Sequence, residues 1–223
     1  MNHGVLAAQV IVIAKEPLPG RVKTRLTPPF SPREAALLAE AALADTLAAV
    51  AATPVTGRML ALAGSPGPWL PRGFDVVPQC GGGLDERLAR AFDDAYASRG
   101  VPMVLIGMDT PQVTPSLLAD AVRPLVMGMA DAVFGPAEDG GFWLLGLRRP
   151  DASLLRGVPM STADTGRRQL ERLTAAGLRV HMMPALTDVD TFREAELVAA
   201  ATRGSRFAST FERAMATPAG PGR

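Results

Sequence analysis

Residues 9–26 read QVIVIAKEPLPGRVKTRL. The apolar run Val10-Ile11-Val12-Ile13-Ala14 stops at Lys15, and a loop with Pro17, Pro19 and Gly20 follows. Arg21, Lys23 and Arg25 then stand at every second position. A short apolar run bounded by turn residues reads as a strand buried on both faces. Such a strand opening into a basic, glycine-containing loop is a common way for an α/β protein to hold phosphate. If the backbone is extended, the alternation puts Arg21, Lys23 and Arg25 on one side. A solvated basic loop is the competing reading. The loop's place directly after the first buried strand favours a ligand, because open α/β sheets bind beyond their strand ends. Lys15, Gly20, Arg21, Lys23, Thr24 and Arg25 are therefore the candidate phosphate contacts.

Outward from this stretch, strand and helix signals alternate. Ser31-Pro32-Arg33-Glu34 combines a cap, a proline at the first helical position and a capping-box glutamate, which predicts a helix to about Val50. Strands are predicted over 55–63 and 74–78, and a helix over 84–98 after Gly81-Gly82-Gly83. An apolar strand over 102–108 ends at Asp109, and Thr114-Pro115 opens a helix to about Met127. Strands over 131–135 and 141–147 flank the loop 136–141. A helix over 164–176 and a strand over 178–183 follow, and Thr191 with Glu194 forms a second capping box for a helix to about Thr202. This alternation predicts an α/β fold, a three-layer αβα sandwich around a central, mostly parallel mixed sheet with strand 9–14 in its interior. No internal repeat or dividing linker is seen, so residues 1–210 read as one domain. Residues 211–223 read as a C-terminal tail, disordered over Thr217–Arg223.

The chain has 223 residues, 48% of them hydrophobic, and a net charge of +1. Nothing at whole-chain level points to nucleic acid or a membrane surface; the positive charge is local, as suits a small anionic ligand. Cys80 is the sole cysteine, so neither an intramolecular disulfide nor a cysteine metal cluster is expected. His3 and His181 are too few for a histidine zinc site. Any metal should be held by carboxylates, as Mg2+ or Mn2+ would be. Lys15 cuts the run 10–14 short of a signal-peptide core. No stretch reads as approaching the roughly 20 apolar residues of a membrane helix. The expectation is a cytoplasmic protein.

Four loops carry candidate chemistry. Asp109, at the end of a buried strand, can bind a cation that bridges phosphate oxygens, or can cap a turn before Pro111. Asp139 lies in Glu138-Asp139-Gly140-Gly141, where Gly140 and Gly141 permit close approach to a ligand; a plain Asp-Gly turn is the alternative. In Thr187-Asp188-Val189-Asp190-Thr191, one of Asp188 and Asp190 is a second metal ligand and the other a cap or salt-bridge partner. Gln79 precedes three glycines and a helix start, where backbone N–H groups can meet phosphate or a base edge, unless the segment is simply a connector. Ser161 and Thr162 either touch an acceptor or cap a helix. Phe142 and Trp143 read as core, and Cys80 as an incidental thiol.

Ala14-Lys15-x-Pro17-x-Pro19-Gly20-x-Val22-Lys23-Thr24-Arg25-Leu26 resembles the signature of the radical-SAM/selenodomain-associated transferases, some of which are labelled arsenosugar-biosynthesis glycosyltransferases. Gly107-x-Asp109-x-Pro111, Gly135-Pro136-Ala137-x-Asp139-Gly140-Gly141, Ser161-Thr162 and Asp188-Val189-Asp190-Thr191 match in the same order. The resemblance covers about residues 8–200 and implies the GT-A fold of nucleotide-diphospho-sugar transferases; phospholactate guanylyltransferase is a relative. Met108-Asp109-Thr110 has one acid where metal-dependent glycosyltransferases carry Asp-x-Asp. Gly83-Leu84-Asp85-Glu86-Arg87 differs from the family's Asp-Leu-Gly-Glu-Arg.

Three functions are compatible with these residues. The first is glycosyl transfer from a nucleotide sugar to a small-molecule acceptor, with the metal on Asp109, Asp188 and Asp190, and with Asp139 orienting the acceptor or serving as its base. The second is nucleotidyl transfer, with Lys23 and Arg25 neutralising a triphosphate attacked by a phosphorylated acceptor. The third is nucleotide binding without catalysis. The family name favours the first, and the density of cations and the single acid at 109 favour the second. Lys23, Asp109 and Asp139 are the candidate catalytic residues.

Overall fold

The computed structural model describes residues 4–216. Seven strands form one sheet: β1 (Leu6–Lys15), β2 (Val55–Ala63), β3 (Asp75–Pro78), β4 (Met103–Ile106), β5 (Ala132–Pro136), β6 (Phe142–Leu147) and β7 (Val180–Met182). Their order is β3-β2-β1-β4-β6-β5-β7. β1 pairs in parallel with both β2 and β4, and of the seven only β6 runs against its neighbours. The α/β class, the mostly parallel mixed sheet and the interior first strand are as the sequence predicts. The chain leaves β1 towards β2 and β3, then returns to β4 on the other side. The loops after β1 and β4 therefore flank a switch point, where open α/β sheets bind ligands.

Successive residues of β1 point to opposite faces, and both faces are covered. Val10 and Val12 pack with Leu43 and Leu47 of α1 (Pro32–Ala52) and with Leu118 and Val122 of α3 (Pro115–Val126). Ile11 packs on the other face with Leu88 and Phe92 of α2 (Leu84–Arg99) and Leu173 of α4 (Thr165–Ala175). The predicted Ser31 capping box is formed: Glu34 N–H donates to Ser31 Oγ at 3.3 Å and Ser31 N–H to Glu34 Oε2 at 2.8 Å.

Two expectations are corrected. Contrary to the sequence reading, one segment is long and apolar enough by length and composition to cross a membrane: α1, 21 residues. Its composition follows from burial on two sides, since its other flank, Ala35, Leu38 and Ala42, packs against α5 (Phe192–Ala201) and α6 (Arg206–Ala216). Residues 211–216, expected in the tail, are helical instead. Phe207, Ala208 and Phe211 of α6 are buried, and Phe211 meets Phe30 at 5.7 Å and Phe192 at 5.9 Å between ring centroids. The signal was Ser205, which caps the helix by accepting from Ala208 N–H. Asp45 of α1 adds a remote cap, accepting from Phe207 N–H at 2.8 Å. Residues 217–223 lie outside the described part.

Phe211→Ala should therefore lower stability by about 3 kcal/mol, read as a fall in the urea midpoint at constant slope. A tail residue would leave the midpoint unchanged.

Candidate functional site

At the carboxyl ends of β1 and β4 lies a cleft of about 780 Å3. Its wall includes Lys15, Arg21, Lys23, Thr24 and Arg25 from the basic loop, Gln79, Asp109, Asp139, Gly141, Ser161, Thr162, Asp188 and Asp190. Residues far apart in sequence thus meet at one place. Gly20 and Gly140 do not line it. Both have positive φ, 74° and 88°, and their roles are in the backbone. Gly20 sits in the turn closed by Arg21 N–H donating to Leu18 carbonyl at 3.0 Å. Gly140 abuts the Ala163 carbonyl where a Cβ would stand, so the loop 137–141 can pack against the segment before α4 only with glycine there.

The centre of the site is Lys23. Its ammonium lies 2.6 Å from Asp109 Oδ1 and 2.8 Å from Asp190 Oδ1, with the side chain only 6% exposed. Arg25 adds a longer contact to Asp190 Oδ2, 3.3 Å. The local sequence explains the arrangement. Leu26 and Val189, both buried, belong to one apolar cluster. They bring the basic loop and the segment 187–190 together with their charged neighbours alongside. Val189 N–H donates to the Asp109 carbonyl at 2.9 Å, and Gln112 Nε2 to the Thr187 carbonyl at 2.6 Å, tying the loop after β4 to the same segment. The capping box of α5 fixes Asp190 from the other side, as Glu194 Oε2 accepts from the N–H groups of Asp190 and Thr191 at 2.9 and 2.6 Å.

Burial disfavours the charge on Lys23, but Asp109 and Asp190 outweigh it and hold its pKa above the ordinary lysine value. Asp190 is also opposed by burial, and Lys23 with Arg25 brings it below the usual carboxylate range. Asp188 behaves oppositely: burial, then the charges of Asp109 and Asp139, push it up to about 7 against the pull of Lys23. Of the two acids expected to divide the labour, Asp190 is thus the salt-bridge partner.

Three carboxylates, Asp109, Asp139 and Asp188, face the same cleft and two of them raise the third. That is an excess of hard oxygen donors, which fits a hard cation such as Mg2+ or Mn2+ whose shell is completed by substrate phosphates. No preformed cluster of three metal-ligating side chains is found among the described residues. Asp139 also accepts from Gly141 N–H at 2.8 Å, so it orders its own turn while lining the cleft. Gln79 donates through Nε2 to the carbonyls of Ala14 (2.7 Å) and Ala61 (3.0 Å) and clasps the ends of β1 and β2. Trp143 is buried as expected and donates to Pro184 carbonyl at 3.0 Å.

The sequence reading missed one face of α2. Leu84, Arg87 and Leu88 line the cleft at helical spacing i, i+3, i+4. Arg87 Nε donates to Gly82 carbonyl at 3.0 Å. The inverted order Gly83-Leu84-Asp85 has a reason here: Asp85 Oδ2 accepts from Gly157 N–H at 2.8 Å, joining α2 to the loop that carries Ser161 and Thr162. A Cβ on residue 83 would meet Asp85 Oδ1. Among the described residues, Lys23 (φ 49°) and Ser161 (φ 59°) are the two non-glycines in the left-handed region, and both line the cleft. Such strained positions cluster at functional sites.

Comparison with known proteins now identifies the chain. It belongs to the DUF2064 family. Residues 37–162 match that family, described as an uncharacterized protein conserved in bacteria. This part holds Asp109, Asp139, Ser161 and Thr162 but neither the basic loop nor Asp190. A solved structure from Desulfovibrio desulfuricans G20, provisionally named a nucleotide-diphospho-sugar transferase, is 27% identical, covers 92% of both chains and gives a TM-score of 0.82. The fold is also shared with a CMP:2-keto-3-deoxy-manno-octonic acid synthetase complexed with CTP, at 14% identity, 87% and 98% coverage and TM-score 0.55. A cytidylyltransferase from Leptospira borgpetersenii serovar Hardjo-bovis shares it at 12% identity, 93% coverage of each chain and TM-score 0.52. No curated protein matches the chain.

The raised pKa of Asp188 sets a pH dependence. Between the ordinary value of 3.8 and about 7 the folded protein holds a proton that the unfolded chain has released. Stability therefore falls as pH rises through that window. Asp188→Asn cannot titrate. In chelator, its melting temperature should gain on the wild type from pH 4 to pH 7 and hold a constant advantage above; a pH-independent difference would refute the assignment.

Proposed function

We propose that the chain is a metal-dependent transferase acting on a nucleotide-activated substrate, and that it moves a glycosyl group from a nucleotide-diphospho-sugar to a small-molecule acceptor in the cytoplasm. One observation carries this reading: the cations of the loop after β1 face the acids after β4 and β7 across the sheet's switch point, in one cleft. Its volume is within the usual range for small-molecule sites. The likeness to the D. desulfuricans protein supports it, as does the resemblance to radical-SAM-associated transferases. We take residues 1–210 as one functional unit, completed by α6.

Asp109 and Asp188 would hold Mg2+ or Mn2+ together with phosphate oxygens of the donor. The metal supplies charge neutralisation to the leaving nucleotide. Lys15, Arg21 and Arg25 take the remaining phosphate charge; all three are exposed at the cleft. Asp139, held by its own turn, orients the acceptor hydroxyl and accepts its proton as the bond to the sugar forms. Ser161 and Thr162 offer hydroxyls to the acceptor, and Gln79, fixed between two strands, offers its Oε1 to the base.

Nucleotidyl transfer is the second reading. It is favoured by the basic loop's surplus of charge, since Lys15 and Arg21 have no acidic partner among the described residues. A triphosphate would use that surplus, with a phosphorylated acceptor attacking the α-phosphate.

A thermal-shift panel of nucleoside triphosphates and nucleotide sugars with Mg2+ or Mn2+ tests both readings. A ligand at 100 times its dissociation constant adds about 2.7 kcal/mol. Stabilisation by nucleotide sugars supports glycosyl transfer, by triphosphates alone nucleotidyl transfer, and by neither defeats the proposal. Lys15→Ala with Arg21→Ala should weaken nucleotide binding and change stability by less than about 0.5 kcal/mol. Lys23→Ala is no such surface change: it removes a buried ammonium and takes from Asp109 the one ionic partner it has among the described residues, so a loss of stability is expected in denaturant titrations.

Asp109→Asn keeps shape and removes charge. Lys23 keeps Asp190, so the variant should fold with some loss of stability, while metal-dependent nucleotide binding and turnover are abolished; unaltered Mg2+ or Mn2+ dependence would make Asp109 structural.

A further inference from the structure

We infer that Lys23 is a resident cation of the acidic cluster, and that a divalent metal binds at Asp109 only by displacing its ammonium. The inference rests on the nucleotide reading above only for where the ammonium goes afterwards. The ammonium lies within 2.8 Å of two carboxylates on different loops, one of them the Asp109 that would hold the metal. The two carboxylates are unequally served. Asp190 keeps Arg25 at 3.3 Å when Lys23 leaves, whereas Asp109 has Lys23 as its one ionic partner among the described residues. Departure of Lys23 thus frees Asp109 and leaves Asp190 paired.

Charge decides when that happens. Lys23 and Arg25 balance Asp109 and Asp190. Adding a divalent cation beside an ammonium only 6% exposed is unfavourable, since like charges at this distance repel strongly away from bulk water. A phosphate group changes the sum, because its oxygens accept both the metal and the displaced ammonium. The loop can supply the movement: Lys23 is held at φ 49°, Arg21, Thr24 and Arg25 around it are exposed, and four methylenes carry the ammonium. Metal and nucleotide then help each other to bind by the same factor, and metal alone binds weakly.

The test is Mn2+ binding to the full chain without nucleotide, read from the electron paramagnetic resonance signal of free Mn2+. Lys23→Met should bind Mn2+ about tenfold more tightly than the wild type or more, in the usual range of such couplings. Lys23→Arg, which keeps a cation, should not. If Lys23→Met is unfolded in chelator, Mn2+ should restore its cooperative thermal transition while shifting the wild type little. Equal Mn2+ affinity in wild type and Lys23→Met, or equal shifts in melting temperature, would overturn the inference. Nucleotides are added only afterwards: if none of CTP, GTP or UDP-glucose binds, the nucleotide reading falls, while the Mn2+ comparison still decides the displacement.

Discussion

A buried ammonium must be paired, and in this protein that requirement fixes the relation of three loops. Taking a lysine out of water costs several kcal/mol unless opposite charges replace its hydration. Lys23 obtains them from Asp109, 86 positions later, and Asp190, 167 positions later. Neither carboxylate could be placed by local geometry alone. Asp109 is delivered by the end of β4 beside β1, and Asp190 by the cap of α5. The apolar contact of Leu26 with the cluster around Val189 supplies the driving force that brings the charges together, since an ion pair by itself rarely stabilises a fold.

The strand order explains why this happens at the carboxyl edge of the sheet. β1 is hydrogen-bonded on both sides and packed on both faces, so it has nowhere to move and its end is a fixed point. Because β2 and β4 lie on opposite sides of it, the loops after β1 and β4 diverge and leave a crevice between them. The β5–β6 hairpin brings Asp139 to the far wall, and α2 supplies the wall with Leu84, Arg87 and Leu88.

Much of this was legible in the sequence, for physical reasons that differ by element. The buried strands were visible because a strand covered on both faces has no polar alternation, as in Val10–Ala14 and Met103–Ile106. The capping boxes at Ser31 and Thr191 were visible because they are local. The pairing of Lys23 with Asp190 was not, because an ion pair between remote loops has no sequence signature; the basic loop looked solvated or phosphate-bound, and Lys23 is neither exposed nor free. Gly20 and Gly140 do not line the cleft, and a glycine required by backbone conformation reads the same in the sequence as one required by a ligand. Helix α6 was missed because it is short, its buried face is only Phe207, Ala208 and Phe211, and its second cap comes from Asp45 on another helix. The apolar length of α1 was underestimated because its buried residues are mostly alanine, which is apolar without looking like a core.

The charge arrangement also limits the chemistry. The exposed cations Lys15 and Arg21 and the carboxylates Asp109, Asp139 and Asp188 line the same cleft, so a substrate that neutralises both kinds of charge carries phosphate together with a cation. A neutral sugar would neutralise neither, and an isolated phosphate only the cations. A metal-bound nucleotide, the substrate proposed above, would neutralise both. The raised pKa of Asp188 belongs to the same balance. With Lys23 serving Asp109 and Asp190, Asp188 has no cation of its own, and burial together with the charges of Asp109 and Asp139 raises its pKa to about 7. The glycosyl and nucleotidyl readings share this requirement and differ only in which bond to phosphorus or carbon is broken. On either reading the bond that breaks would be decided by the acceptor held beside the nucleotide, for which Asp139, Ser161 and Thr162 are the proposed contacts, and not by the residues that hold the nucleotide itself.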